Sequence, residues 1–220
     1  MKALVLAAGR GERMRPLSDQ TPKPLLQANK RSLIEHRLLA LKAAGITDYV
    51  INISYKGEQI QQALGNGDQL GLKIIYSDEG EQALESAGGI IHALPLLGDK
   101  PFIVVNADIW TDFDFSTLPK QPDLSAFLIL VDNPAHHLAG DFSIDNNGII
   151  KPDGDKKFTF SGIGVYHPRL FKRYTPGVRP LLPVLLDAMQ EGQVSGRYYQ
   201  GRWLDIGTPE RLNALRNMLE

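Results

Sequence analysis

Residues 3–26, ALVLAAGRGERMRPLSDQTPKPLL, hold the side chains of this chain best suited to polyphosphate chemistry. An apolar run from Ala3 to Ala8 opens onto Gly9-Arg10-Gly11. Glu12 and Arg13 follow, and Lys23 stands between Pro22 and Pro24. Glycines let a backbone approach an anion closely and aim its N–H groups at phosphate oxygens. An arginine and a lysine then add charge and directional donors. Two carboxylates complete the set. Asp108 closes the stretch Val104-Val105-Asn106-Ala107-Asp108, and Asp205 lies in Trp203-Leu204-Asp205-Ile206-Gly207-Thr208. Hard oxygen ligands from two separate strands suit Mg²⁺, which takes one or two carboxylates plus substrate phosphates and waters. From residue type alone, each aspartate could equally end a strand or cap a turn.

Other glycine-loop chemistries are excluded. No GxxxxGK[ST] string occurs, and the third glycine of a dinucleotide fingerprint is replaced by Met14. Charge is balanced, with 24 basic against 25 acidic residues, so nothing points to nucleic acid as a partner. With no cysteine and five histidines, thiolate chemistry is absent and a zinc site has little support. No apolar stretch approaches the roughly 20 residues of a membrane helix. The N-terminal strand leads straight into the phosphate-binding residues, so no cleavable signal is expected. The expectation is a cytoplasmic protein that binds no membrane, monomeric or dimeric.

The elements that must position these side chains follow from hydrophobic pattern. Apolar runs at Ala3–Ala8, Tyr49–Ile53, Leu72–Tyr76 and Phe102–Asn106 are read as buried strands. Between them lie helical stretches at Ser32–Ala44, Gly57–Leu64 and Gly88–Leu97. The first carries a capping box, Ser32 with Glu35, and stops at Gly45. The alternation predicts a single α/β domain over 1–220, a mostly parallel sheet with helices on both faces and right-handed crossovers. Ligands of such sheets bind at the carboxyl ends of the strands. Residues beyond about 110 are richer in strand: Ser125–Val131, Asp141–Ile144, Ile149–Lys151 and Phe158–Tyr166, with a turn at Asp145–Gly148. Pro180–Gln190 reads as a helix, and Thr208 caps a last one with Pro209 at its first position. Asp112 and Asp114 are read as solvated or capping residues, and the adjacent His136 and His137 as a surface loop.

The combination GxGxRMxPL…TPKPLL resembles the N-terminal signature of the sugar-1-phosphate nucleotidyltransferases, and the likeness runs from Met1 to the terminal helix. It implies the nucleotide-diphospho-sugar transferase fold, with nucleotide binding in about 1–110 and sugar binding in about 111–220. It also implies an enzyme whose partners are a nucleoside triphosphate and a sugar 1-phosphate, with Mg²⁺ as cofactor. Ala8, Gly9, Gly11, Glu12, Arg13 and Lys23 take the triphosphate positions, with Arg13 and Lys23 catalytic. Asp108 and Asp205 take the metal positions, and Ala107 stands where many relatives have glycine. Resemblance of Glu79–Gly89 to the family's L-x-TAG segment assigns Gly80 and Gly88 to the nucleotide. Read from residues alone, Ala87-Gly88-Gly89 before an apolar helix is a packing feature.

Asn106, Asp141, Ser161 and Gly162 fall where relatives contact the sugar. The same residues admit a strand-start carboxylate and a glycine at a bulge. The family's E-K-P motif is missing here, replaced by Lys151-Pro152-Asp153-Gly154-Asp155-Lys156-Lys157. Several stretches (VDNPAHH, NADIWTDFDF, TFSGI and WLDIGTPERL) are similar to a subgroup that uses UTP and N-acetylmuramate 1-phosphate, in the recycling of cell-wall peptidoglycan. Glucose, mannose and N-acetylglucosamine 1-phosphates are the alternative substrates. A catalytically silent sugar-nucleotide-binding regulatory module is the minor alternative. The retained Arg13, Lys23, Asp108 and Asp205 argue against it.

Overall fold

Period-two alternation sorts the apolar side chains of the first strand onto two faces. Ala3 and Val5 enter one core, and Leu4 the other. The computed structural model describes residues 1–220. In chain order, the first half comprises β1 (Ala3–Leu6), α1 (Leu17–Gln20), β2 (Gln27–Ala28), β3 (Arg31–Ser32) and α2 (Leu33–Ala43). It continues through β4 (Asp48–Ile53), α3 (Gly57–Leu64), β5 (Lys73–Asp78), α4 (Glu85–Leu97) and β6 (Phe102–Asn106). The second half adds β7 (Ile109–Thr111), β8 (Ala126–Val131), β9 (Ser143–Ile144), β10 (Ile150–Lys151) and β11 (Thr159–Tyr166). After these come α5 (Leu181–Gln190), β12 (Val194–Tyr199), β13 (Trp203–Asp205) and α6 (Pro209–Leu219).

Seven strands form one sheet in the order β12-β8-β11-β6-β1-β4-β5. Every pairing is parallel except the two made by β11, which is antiparallel to β6 and to β8. The mostly parallel sheet expected from the sequence is therefore present, and it runs without a break from the first half into the second.

Helices cover both faces. Ile34, Leu38 and Leu41 of α2 and Ile60 and Leu64 of α3 pack on the face of Ala3 and Val5. Ala87, Ile90 and Ile91 of α4 and Val184, Leu185 and Ala188 of α5 pack on the face of Leu4. The capping box forms as expected, the Ser32 N–H donating to Glu35 at 2.7 Å while Ser32 Oγ accepts from the Glu35 N–H. Helix α4 begins at Glu85, three residues earlier than the apolar pattern indicates. A third, smaller core joins Met14, Leu26 and Leu33 to Ile206, Leu212 and Leu215. It clamps the segment bearing Asp205 against the glycine-rich loop. No helix is long and apolar enough to cross a membrane.

Candidate active site

A cleft of about 640 Å³ opens over the segments that follow β1, β5 and β6. Its walls include Ala7 to Arg13, Lys23, Asn52, Glu79, Asn106, Asp108 and Gly207. Gly11 has φ 65°, and an added Cβ there would come within 3.0 Å of Lys23 Cβ. Glycine therefore serves both the left-handed turn and the close approach of the lysine. The turn is braced from behind, its carbonyl accepting from Ser18 Oγ at 2.8 Å and from the Met14 N–H at 2.9 Å. Gly9, Arg10 and Arg13 are left exposed on the cleft side.

Lys23 is only 8% exposed, and its Nζ donates to Asp108 Oδ2 at 2.5 Å. Asp108 reaches this position because the loop after β6 keeps pace with β1, the Ala107 N–H donating to the Leu6 carbonyl at 3.0 Å. The chain then enters β7, which pairs antiparallel with β13 so that Ile109 faces Asp205. The Ile206 N–H donates to the Asp108 carbonyl at 2.8 Å. Two aspartates far apart in sequence are thus neighbours along the backbone of a two-stranded ribbon. Below it, the buried Arg37 donates through Nη2 to the Thr111 carbonyl at 3.3 Å and lies over the Phe115 ring. Burial alone lowers its pKa to about 10, so it keeps its charge at neutral pH.

Asp205 Oδ1 is buried, in ion-pair contact with Arg211 and 3.4 Å from His136 Nε2. Desolvation, and then the charges of Arg211, His137 and Arg13, hold the His136 imidazole below its ordinary pKa. Desolvation and Arg13 likewise lower the Arg211 guanidinium, while Asp108 opposes them. Arg13, Asp108, Asp205, His136 and Arg211 therefore share one electrostatic field. Arg211 lies within the WLDIGTPERL stretch and His136 within VDNPAHH, but from residue type His136 reads as surface loop and the sequence assigns no role to Arg211. Asn52 and Glu79, two further polar groups of the cleft wall, are also invisible from the sequence.

The sugar-side expectations divide. Asn106 lines the cleft. Gly162, with φ 77°, sits in the irregularity of the β8–β11 pairing between Phe160 and Gly164. A Cβ there would stand 2.6 Å from Asn106 Nδ2, so this glycine makes room for Asn106 rather than for a ring. Ser161 does not offer its hydroxyl to a ligand. It is 1% exposed, donates to the Ile129 carbonyl at 2.7 Å and accepts from the Ile163 N–H at 3.2 Å. Asp141 lies outside the cleft wall, held by the Phe160 N–H at 2.8 Å and by His137 Nε2 at 3.0 Å, with its side chain one-third exposed.

Of the two glycines assigned to the nucleotide, Gly80 is exposed with φ 71° and lies beside the cleft residue Glu79. Gly88 faces elsewhere. A Cβ there would overlap the Gly177 carbonyl, and its N–H donates to the Arg179 carbonyl at 3.1 Å. The packing reading is the one the structure supports for Gly88. Glu85 and Ser86 line the cleft in its place.

Gly162→Ala tests the strained bulge. Alanine at a φ of 77° costs about 1–2 kcal/mol before its overlap with Asn106 is counted. A clear drop in denaturant midpoint is expected, and an unchanged midpoint would show that the bulge relaxes freely.

The nucleotidyl transferase family matches residues 2–220. The chain is 50% identical over 222 residues to N-acetylmuramate alpha-1-phosphate uridylyltransferase of Neisseria meningitidis serogroup B, covering 96% of this chain and 95% of that one. It is 33% identical to the protein of the same name from Caulobacter vibrioides, covering 94% and 92%. Among solved structures, HddC from Yersinia pseudotuberculosis complexed with GMP-PN superposes with a TM-score of 0.79 at 20% identity, covering 100% of this chain and 99% of that one. This last likeness concerns the fold. With a family match over residues 2–220, and with Gly9, Gly11, Arg13, Lys23 and Asp108 gathered in one cleft, the chain belongs to the nucleotidyl transferase family.

Proposed function

We propose that this protein joins a sugar 1-phosphate to a nucleoside triphosphate, releasing pyrophosphate. The preferred pair is UTP with N-acetyl-α-muramate 1-phosphate, giving UDP-N-acetylmuramate. The observation that carries the chemistry is the meeting of Lys23 and Asp108 beside the glycine-rich loop, with Asp205 on the strand paired to β7. The choice of substrates rests on the relative that is 50% identical over nearly all of both chains. Such a product would serve peptidoglycan recycling.

In the reaction, a sugar-phosphate oxygen forms a bond to the α-phosphorus as the bond between that phosphorus and the α,β-bridging oxygen breaks. The nucleophile is already ionised at neutral pH, so no general base is needed. Catalysis is positioning and charge neutralisation. The loop of Gly9 and Gly11 offers backbone N–H groups to the triphosphate. Lys23, nearly buried, directs its ammonium toward the reacting phosphorus, and Arg13 favours the departing pyrophosphate. Asp108 and Asp205 fit a divalent cation as two oxygen donors on adjoining chain segments, now held by Lys23 and by Arg211. Bound there with substrate, Mg²⁺ would supply charge neutralisation at the phosphates. Asn106 from the cleft wall, and Asp141 from outside it with one-third of its side chain exposed, are assigned to the sugar, from whose hydroxyls a carboxylate can accept.

A grid of triphosphates against sugar 1-phosphates, with pyrophosphate release followed in the presence of Mg²⁺ and of chelator, tests the reading. UTP with the muramate is expected to give the highest kcat/KM. Release that is indifferent to the sugar phosphate would defeat it. Asp141→Ala is expected to raise the KM for the sugar phosphate more than that for UTP. An equal rise in both would remove Asp141 from the sugar site.

A further inference from the structure

A run of polar contacts crosses the cleft wall without entering the transfer chemistry. The Ala7 N–H, at the root of the glycine-rich loop, donates to Asn52 Oδ1 at 2.6 Å. Asn52 Nδ2 donates to Glu79 Oε1 at 2.6 Å, and Glu79 Oε2 accepts from the Leu84 N–H at 2.7 Å. Asn52 is 3% exposed near the end of β4, in register with Leu6 of β1 and Ser77 of β5. Leu84 is the N-cap residue of α4 and has no side-chain cap of its own. The Glu79 carboxylate supplies one from across the loop, at the positive end of the helix. Gly89 makes the arrangement possible, because a Cβ there would overlap the Glu79 carboxylate and Asn52 Nδ2. Buried polar atoms with every partner in place rigidify what they join. What these join are the phosphate loop and the segment 80–84.

We propose that Asn52 and Glu79 are positioning residues, a relay that holds the phosphate loop and segment 80–84 in one fixed relation so that the nucleoside triphosphate meets a preformed cleft. The proposal rests on the nucleotidyl-transfer reading for its ligand. The sequence of donors and acceptors is directional, so it can be reversed. Asn52→Asp alone sets two carboxylates face to face. Glu79→Gln alone sets an amide N–H₂ against a donor. In the double variant Asn52→Asp/Glu79→Gln, the aspartate accepts from the Ala7 N–H and from the glutamine amide, whose oxygen accepts from the Leu84 N–H. Every contact is then restored with the central polarity inverted.

The measurements are KM for UTP and for the sugar phosphate, and hydrogen exchange at the Ala7 and Leu84 amides. Each single variant is expected to raise the UTP KM by about tenfold while moving the sugar-phosphate KM little, with faster exchange at both amides. The double variant is expected to return the UTP KM to within about threefold of the parent. Additive damage in the double variant overturns the proposal, as would follow if Glu79 contacted the base directly. Unchanged exchange at Leu84 in Glu79→Gln overturns it too, and that single variant decides the matter if Asn52→Asp does not fold. Exchange needs no substrate, so failure of the parent to transfer any nucleotide would defeat the functional reading and leave the relay separately decided.

Discussion

Asp108→Asn and Asp205→Asn are each expected to lower turnover by about a thousandfold, on the order of 4 kcal/mol, with the fold intact. Both changes keep the shape of the side chain and remove one charge from the proposed cation site. The fold is expected to respond only modestly, since at position 108 an asparagine oxygen still accepts from the nearly buried Lys23 ammonium although the ion pair is lost. Asp108 holds the β7–β13 ribbon through its backbone carbonyl and not through its carboxylate. Asp205 loses only a partly exposed ion pair, whose other member, Arg211, also contacts His136. The check is kcat at saturating substrate and Mg²⁺ beside a thermal melt. Near-normal turnover in either variant would remove that aspartate from the metal site.

Lys23→Ala is expected to cost about 3–4 kcal/mol of transition-state stabilisation, as the loss of one preorganised charge donor does elsewhere. Lys23→Arg is expected not to rescue it. The side chain is nearly buried, its stem lies against the turn at Gly11, and its Nζ meets Asp108 head-on. A guanidinium is bulkier and spreads its charge over a plane, so it cannot occupy the same point. Comparison of kcat/KM across the parent and both variants decides the matter. Full activity in the arginine variant would leave Lys23 a spacer between two prolines.

Much of this architecture could be read from local pattern. The continuous apolar runs of β1, β4 and β6, the Ser32–Glu35 capping box and the Asp145–Gly148 turn each declare themselves within a few residues. Elements whose stability comes from distant partners did not. Strand β12, VSGRYY, carries a glycine and an arginine, sits at the sheet edge and has only its first residue fully buried. The ribbon of β7 and β13 is three residues long on each side, too short for periodicity, and it is what brings Asp108 beside Asp205. Among candidate site residues, a motif marks the glycine turn, Lys23 and Asp108, which the structure brings into one cleft, and Asp205, which it sets on the strand paired to β7. Gly88 was carried too far by its motif, since its missing side chain serves the Gly177 carbonyl. Ser161 was misassigned because a strand residue on the right segment can still point its hydroxyl into the sheet. Asn52 and Glu79 lie 27 positions apart, and nothing local to either announces the other.

The central claim is the pairing of UTP with N-acetylmuramate 1-phosphate, and a one-pot competition tests it most directly. With equal concentrations of the muramate and of glucose, mannose or N-acetylglucosamine 1-phosphate, the ratio of products reads the ratio of kcat/KM values. The UDP-muramate is expected to dominate every pairing. Dominance of any competing hexose by tenfold or more, about 1.4 kcal/mol, would contradict the assignment.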